Sequence, residues 1–457
     1  MAATTTPSQA SAVNPANKTV QMLGRFGPDG FAEFLKRRQE PAWLTAARHE
    51  AHARLLSLPW PSPRDEEWRR TDIRGLNLGG FDPARGVEAD ASAATQLDKA
   101  SVLLRGHAGR VIEHINGVRH ETTGTGVLPS GVIFMDLGTA VREHPALVEH
   151  HLMKRAVPAG TDVFSALHGA YWSNGTLLYV PRGVKIKFPL GIVAALVGGG
   201  QLETHHTLVV LEEGAEATLV QETASAGRAE GSAGLHVGSI ELLLGPRAKL
   251  RFVSIQNWDL ATWHFSRDRA ILDRDAALQW TIGGLGSRLT KVNQEVVLAG
   301  EGSQAQVNGV LFTTGRQNLT YLTRQEHAAP HTTSDLLYKG GLKDSSRLVW
   351  KGMIRVEPGA QKTDAYQKNE NLILAETSRA DSIPGLEIEA NDVRCTHGAT
   401  AGQVDQDMVF YLQSRGMRRE EAVRLIVEGF FANVYDRITL EPVREALHEA
   451  VAQKLSQ

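Results

Sequence analysis

The chain has 457 residues, 49 Lys and Arg against 51 Asp and Glu, a formal net charge of −2 and one cysteine. The balanced charge leaves no electrostatic footprint for nucleic acid. One cysteine excludes an internal disulfide and fits a reducing compartment. No apolar run reaches the roughly 20 residues of a membrane helix, and the N-terminal segment lacks the apolar core of a secretory signal. The expectation is a cytoplasmic protein with no membrane and no nucleic-acid partner.

Residues 1–28, rich in Ala, Thr, Ser and Pro, read as a disordered tail, and residues 29–175 as a mostly helical region. Phe31, Phe34, Leu35, Trp43, Leu44, Ala47, Leu55 and Leu56 recur at helical spacing until Pro59, Pro61 and Pro63 stop the pattern. A second helical stretch carries Val141, Leu147, Val148 and Leu152.

Over residues 176–400 the period changes to two. Leu348, Trp350, Gly352, Ile354 and Val356 alternate with Val349, Lys351, Met353 and Arg355, and Leu278, Trp280 and Ile282 repeat the pattern. Small-residue turns bound the runs. Ala215, Ala248, Ala276 and Ser303 follow one another at spacings of 33, 28 and 27 residues. Recurrent strand, turn and strand units mark a β-solenoid, in which stacked coils bury one continuous core. A sandwich or jelly roll also uses many short strands, but the recurrence favours the solenoid. Residues 401–457 return to helical spacing, with Met408 and Leu412, then Ala422, Leu425, Ile426, Gly429 and Phe430, then Val443, Leu447 and Val451. Such helices either cap the solenoid or dock a partner.

Chemistry is sparse. No phosphate-binding Gly-x-x-x-x-Gly-Lys-Ser/Thr run occurs, so the chain is not expected to hydrolyse nucleotide or to be an enzyme. Gly283-Gly284-Leu285-Gly286 reads as a turn. His327 and His331 are separated by Pro330 from any shared helical face, and His205 and His206 would point to opposite sides of a strand. Cys395 and His397 remain, in Arg394-Cys395-Thr396-His397-Gly398. In an extended segment both lie on one face. Thiolate and imidazole bind soft or borderline metals, but two donors cannot close a tetrahedral site. Either the pair only packs, or another chain supplies the remaining ligands.

Several ordered segments resemble the SufB/SufD family of iron–sulfur cluster assembly proteins. They include Glu67-Trp68-Arg69-Arg70-Thr71-Asp72, Tyr171-Trp172-Ser173-Asn174-Gly175, Tyr179-Val180-Pro181-Arg182-Gly183, Ala360-Gln361-Lys362-Thr363-Asp364-Ala365-Tyr366-Gln367, Cys395-Thr396-His397-Gly398-Ala399-Thr400 and Phe410-Tyr411-Leu412-Gln413-Ser414-Arg415-Gly416. The SufD-like branch fits better. SufB proteins carry a carboxylate after this histidine, where the chain has Gly398, and an upstream cysteine near the position of Asn369. The resemblance implies a right-handed parallel β-helix with helical ends, acting as a scaffold with a SufB-like subunit and a SufC-like ATPase held by the C-terminal helices. It further implies that His397, with Cys395 beside it, serves a transient iron–sulfur cluster at the SufB interface, with no tightly bound cofactor, and an aid to iron acquisition. Competing readings are a purely structural scaffold without a metal ligand and a β-helix enzyme acting on polysaccharide.

Overall fold

Alternating strands send every second side chain to one face, and in the computed structural model, which describes residues 22–83, 108–198, 201–226 and 232–456, those faces meet around a shared core. Successive strands are dealt to two ten-stranded sheets. In one, Lys249–Asn257 pairs in parallel with Ala277–Gly284, followed by Gln304–Thr313, Thr333–Leu342, Asp364–Ile373 and finally Arg394–Gln403. The other runs through Thr262–Leu272, Leu289–Leu298, Asn318–His327 and Arg347–Val356 to Arg379–Ile388. The molecule is a parallel β-solenoid with helices at both ends of the chain.

The small-residue repeat lies at the corners. Ala215, Ala248, Ala276 and Ser303 are fully buried. Each follows a residue with left-handed backbone: Gly214, Arg247, Asp275 and Gly302, at φ 68°, 58°, 58° and 74°. The corners also stack. Gly214 N–H donates to Pro246 O at 2.8 Å, Arg247 N–H to Arg274 O at 2.8 Å, and Asp275 N–H to Glu301 O at 2.9 Å. A left-handed residue reverses the chain, and the small one behind it lets the next coil approach.

Both outer faces carry helices. Val253, Phe312 and Leu337 of one sheet are covered by Val427, Phe431, Val434, Val443 and Leu447 from the helices Arg419–Tyr435 and Glu441–Ser456. The C-terminal helices therefore cover the side of the solenoid, and the capping expectation does not hold for them. Lys339 reinforces the contact, with its ammonium 2.7 Å from Phe430 O and 2.8 Å from the Glu370 carboxylate. On the opposite sheet, Leu235, Val237, Trp263 and Phe265 are covered by N-terminal residues including Phe164, Leu167 and Trp68.

Three details depart from the sequence reading. Positions 1–21 of the expected tail lie outside the described residues, but Leu23 and Phe26, also assigned to it, are fully buried. Strands Arg110–Ile115, Val118–Thr123 and Ile133–Asp136 lie within the stretch expected to be mostly helical. Gly283 and Gly284 end a strand instead of forming a turn, because Leu447 and Tyr321 pack where their side chains would project.

A buried relay fastens the N-terminal helices. His168, on the helix Val163–Tyr171, has Nδ1 2.7 Å from Val237 O and Nε2 3.0 Å from His206 Nδ1. A carbonyl only accepts, so His168 Nδ1 carries a proton. Burial, with His206 alongside, holds the His168 pKa well below its usual value, so its Nε2 accepts from His206 Nδ1–H. His206 Nε2 then faces Glu241 Oε1 across 3.0 Å, and one proton lies between them. The same carboxylate accepts from Met153 N–H at 2.7 Å and Val157 N–H at 3.1 Å. Glu241→Ala is expected to cost about 3–5 kcal/mol by orphaning these donors. Glu241→Gln loses one acceptor and is expected to cost about 1–3 kcal/mol. Urea unfolding of the three proteins checks the ranking, and equal midpoints would contradict it.

Two carboxyls are buried nearby with little compensation. Burial raises Asp268 to about 7, against opposing bonds from Ser266 and Ile240, and raises Glu203 to about 8. A carboxyl with a raised native pKa binds its proton more tightly when folded. Its contribution is full below the unfolded value near 4, declines as pH rises, and is lost above about 7 for Asp268. Asp268→Asn should remove that decline, gaining on the wild type by up to about 1.4 kcal/mol per pH unit between pH 4 and 7. Stability measured across that range checks it, and parallel wild-type and variant curves would contradict it.

Candidate metal-ligating site at the open end of the solenoid

Among the described residues, the last coil has a neighbour on one side only. Arg394–Gln403 pairs with Asp364–Ile373 and ends its sheet, and Arg379–Ile388 ends the other. Nearly every residue from Arg394 to Gln403 is exposed, whereas Thr333–Leu342, two strands earlier, is almost wholly buried. The far edge of the terminal strand therefore presents the backbone groups of alternate residues along its length, with no strand partner among the described residues.

Register fixes where the candidate donors point. Cys395 stands opposite Ala365 and His397 opposite Gln367. Ala365 and Gln367 are buried on the lumen side, in line with Ser334 and Leu336. Cys395 and His397 thus lie on the lumen-facing side of the final strand, at the rim of the open end. Cys395 is half-buried and packs beside the cluster of Ile354, Val356 and Ala365. His397 is exposed.

The electrostatics separate the two. Partial burial pushes the Cys395 thiol up, the Asp364 carboxylate pushes it further, and a bond from Ala365 N–H opposes both. Arg394, the nearest cation in sequence, is paired with Asp364 at 2.5 Å, and Arg347 with Asp381 at 2.6 Å. Neither is left to stabilise a thiolate at Cys395. The free chain therefore keeps Cys395 largely as thiol at neutral pH, while the His397 imidazole needs no such help to coordinate.

Behind the rim, polar side chains tie the two sheets together. Gln367 Nε2–H donates to Gly385 O at 3.0 Å, and Asn371 Nδ2–H donates to Asn369 Oδ1 at 2.7 Å and Ser382 Oγ at 2.9 Å. Asn369 occupies the upstream position discussed above, and its amide is spent on these bonds and on Tyr338 O at 3.3 Å. The sequence reading missed this amide layer. The alternation Ala365, Gln367, Asn369, Asn371 held the signal, because those residues share one face of a strand.

The other histidines of interest lie elsewhere. His327 is buried and bonded to Thr332 and Ser334, at 2.7 and 2.8 Å, and His331 forms a corner at φ 58°. His205 faces the lumen and His206 the N-terminal helices, on opposite faces of one strand. Among the described residues, no three His, Cys, Asp or Glu side chains are arranged to hold a metal ion. Cys395 and His397 have chemistry suited to iron, but they make half a ligand set.

Comparison with known proteins gives the family. The chain matches the family described as SufBD protein N-terminal region over residues 32–192. It matches the family described as SUF system FeS cluster assembly, SufBD core domain, over residues 195–430. It is 29% identical to the iron–sulfur cluster assembly protein SufD of Bacillus subtilis over 433 residues, covering 92% of this chain and 96% of that one. Identity to SufB of the same organism is 27% over 421 residues, covering 90% and 89%. A SufBD family protein of Staphylococcus saprophyticus is 30% identical over 311 residues, covering 68% and 66%. With both family regions matched in order along one solenoid, the chain belongs to the SufB/SufD family of iron–sulfur cluster assembly proteins and is SufD-like.

Proposed function

We propose that this chain is the SufD-like scaffold of a cluster-assembly complex. Its terminal strand docks edge to edge with a SufB-like subunit, and His397 contributes a ligand to a nascent cluster at that junction. The carrying observation is the coincidence of an open strand edge with two lumen-facing donors, Cys395 and His397. Strand addition satisfies the open backbone groups, and the partner's donors complete the coordination. The cluster is cargo, assembled and passed on. A site split between chains can release it when the chains move apart, whereas a closed four-ligand site on one chain would retain it. Cytoplasmic location, the absence of a tightly bound cofactor and a part in iron acquisition belong to the same reading, and the chain acts as a scaffold with no catalysis of its own. The rival structural reading lets both side chains merely pack, which suits half-buried Cys395 better than exposed His397.

The ranking is testable in reconstituted complexes. His397→Ala is expected to bring iron and sulfide close to background with subunit ratios unchanged, since one side chain rarely decides a large interface. Cys395→Ser is expected to retain most of the cluster. Normal cluster content in the His397 variant would leave the purely structural reading.

The C-terminal helices are proposed to hold a SufC-like ATPase, and side-chain exposure favours one of them as the surface. Ala422, Val427, Phe431 and Val434 are spent on the sheet. On the helix Gln406–Ser414, Met408, Phe410 and Tyr411 are 49%, 72% and 55% exposed. Phe410→Ala with Tyr411→Ala should abolish co-purification of the ATPase while the solenoid stays folded. Phe431→Ala should instead cost about 3–5 kcal/mol of stability. Retention of the ATPase by the double variant would exclude this helix as the dock.

A further inference from the structure

Deep in the lumen, remote from the rim, lies a space of about 40 Å³ lined by residues that include His205, His236, His264, Asp268, Gln294 and Tyr321. The neighbouring layers of Leu242, Phe252, Trp280 and Leu298 are apolar. Several polar atoms of residues lining this space have no partner among the described residues: both ring nitrogens of His205, Nε2 of His236, Nε2 of Gln294 and the Tyr321 hydroxyl. His205, His236 and Tyr321 are each at most 3% exposed. Leaving one such group unbonded is costly, and five together would consume a large part of a domain's stability.

The neighbouring pairs account for the remainder. His236 Nδ1 and His264 Nδ1 are 2.7 Å apart, so one of them carries a proton and the other accepts it. That separation leaves no room for a metal ion between them. Tyr338 Oη–H donates to Gln294 Oε1 at 2.7 Å, which turns the Gln294 amino group toward the space. Gly238 makes room for the His236 ring beside the space, since a Cβ there would lie 2.3 Å from it. The free groups mix donors with acceptors, because a neutral His205 presents one of each.

We infer that this part of the lumen is a built site for a small neutral molecule that both donates and accepts hydrogen bonds, namely a string of roughly two or three ordered waters. The string bridges His205, His236, Gln294 and Tyr321, and so adds a shared contact between strands of successive coils. It is distinct from the proposed ligands at the rim. The coil carrying Leu336, Leu348 and Trp350 stands between the two.

A crystal structure of the full chain at better than 1.8 Å or so tests the proposal. Water density within hydrogen-bonding distance of His205 and Tyr321 is expected. An empty space, or a metal ion identified by anomalous scattering, would overturn it. Tyr321→Phe gives an independent sign. If water is bound, the variant loses one of its anchors and the thermal midpoint falls. If the site is dry, removing an orphaned hydroxyl relieves a penalty, and an unchanged or raised midpoint counts against the proposal.

Discussion

A parallel coil satisfies its backbone through the coils above and below it, and this constraint organises the molecule. Inside the stack every strand has two neighbours, and the ladder closes. At the end it stops with Arg394–Gln403 in one sheet and Arg379–Ile388 in the other. An open edge of this length invites pairing with another chain. Helices cover both outer faces of the solenoid, so its side walls are already occupied and the end remains the exposed β surface. The position of Cys395 and His397 acquires meaning there. The same two residues one coil earlier would be sealed in the lumen.

The histidines divide by the same logic. His168, His206, His236 and His264 are interior; the first two engage a carbonyl, a carboxylate and each other, and the last two pair through their Nδ1 atoms. Burial disfavours the charged imidazolium at His168, His205, His236 and His264. They build and tie the fold. His397 is the imidazole in the matching motif that stays solvent-accessible. Cys395 is intermediate in both burial and chemistry, and a thiol beside Asp364 is a poor ligand until something displaces or neutralises that carboxylate. Partner docking at the rim could supply such a change, because the Arg394–Asp364 pair lies on the strands that docking would cover.

Much of this was legible from the amino-acid order, for identifiable reasons. Alternation over Leu348–Val356 and the recurrent Ala215, Ala248, Ala276 and Ser303 corners are local patterns, and they carried the solenoid. The i, i+2 spacing of Cys395 and His397 carried their shared face. What escaped depends on register between distant coils. His205, His236 and His264 come from three coils, and nothing local in sequence says that their rings line one space. Gly283 and Gly284 read as a turn because a glycine signals either a bend or a close neighbour, and here the neighbours are Leu447 and Tyr321. The stripes on the C-terminal helices were visible, but an apolar stripe does not reveal which surface it covers. Phe430 and Ile426 face the sheet's cluster, while Phe410 and Tyr411 on the shorter helix face solvent.

The central claim is that the open coil is completed by a partner strand. Hydrogen exchange of the backbone amides tests it most directly, comparing the chain alone with the chain bound to a SufB-like subunit. The account predicts fast exchange in the free chain at the amides of 394–403 that point away from 364–373 and strong protection of the same amides in the complex, with little change over the already paired 333–342. Equal exchange over 394–403 in both states, in a complex shown to be intact, would contradict it.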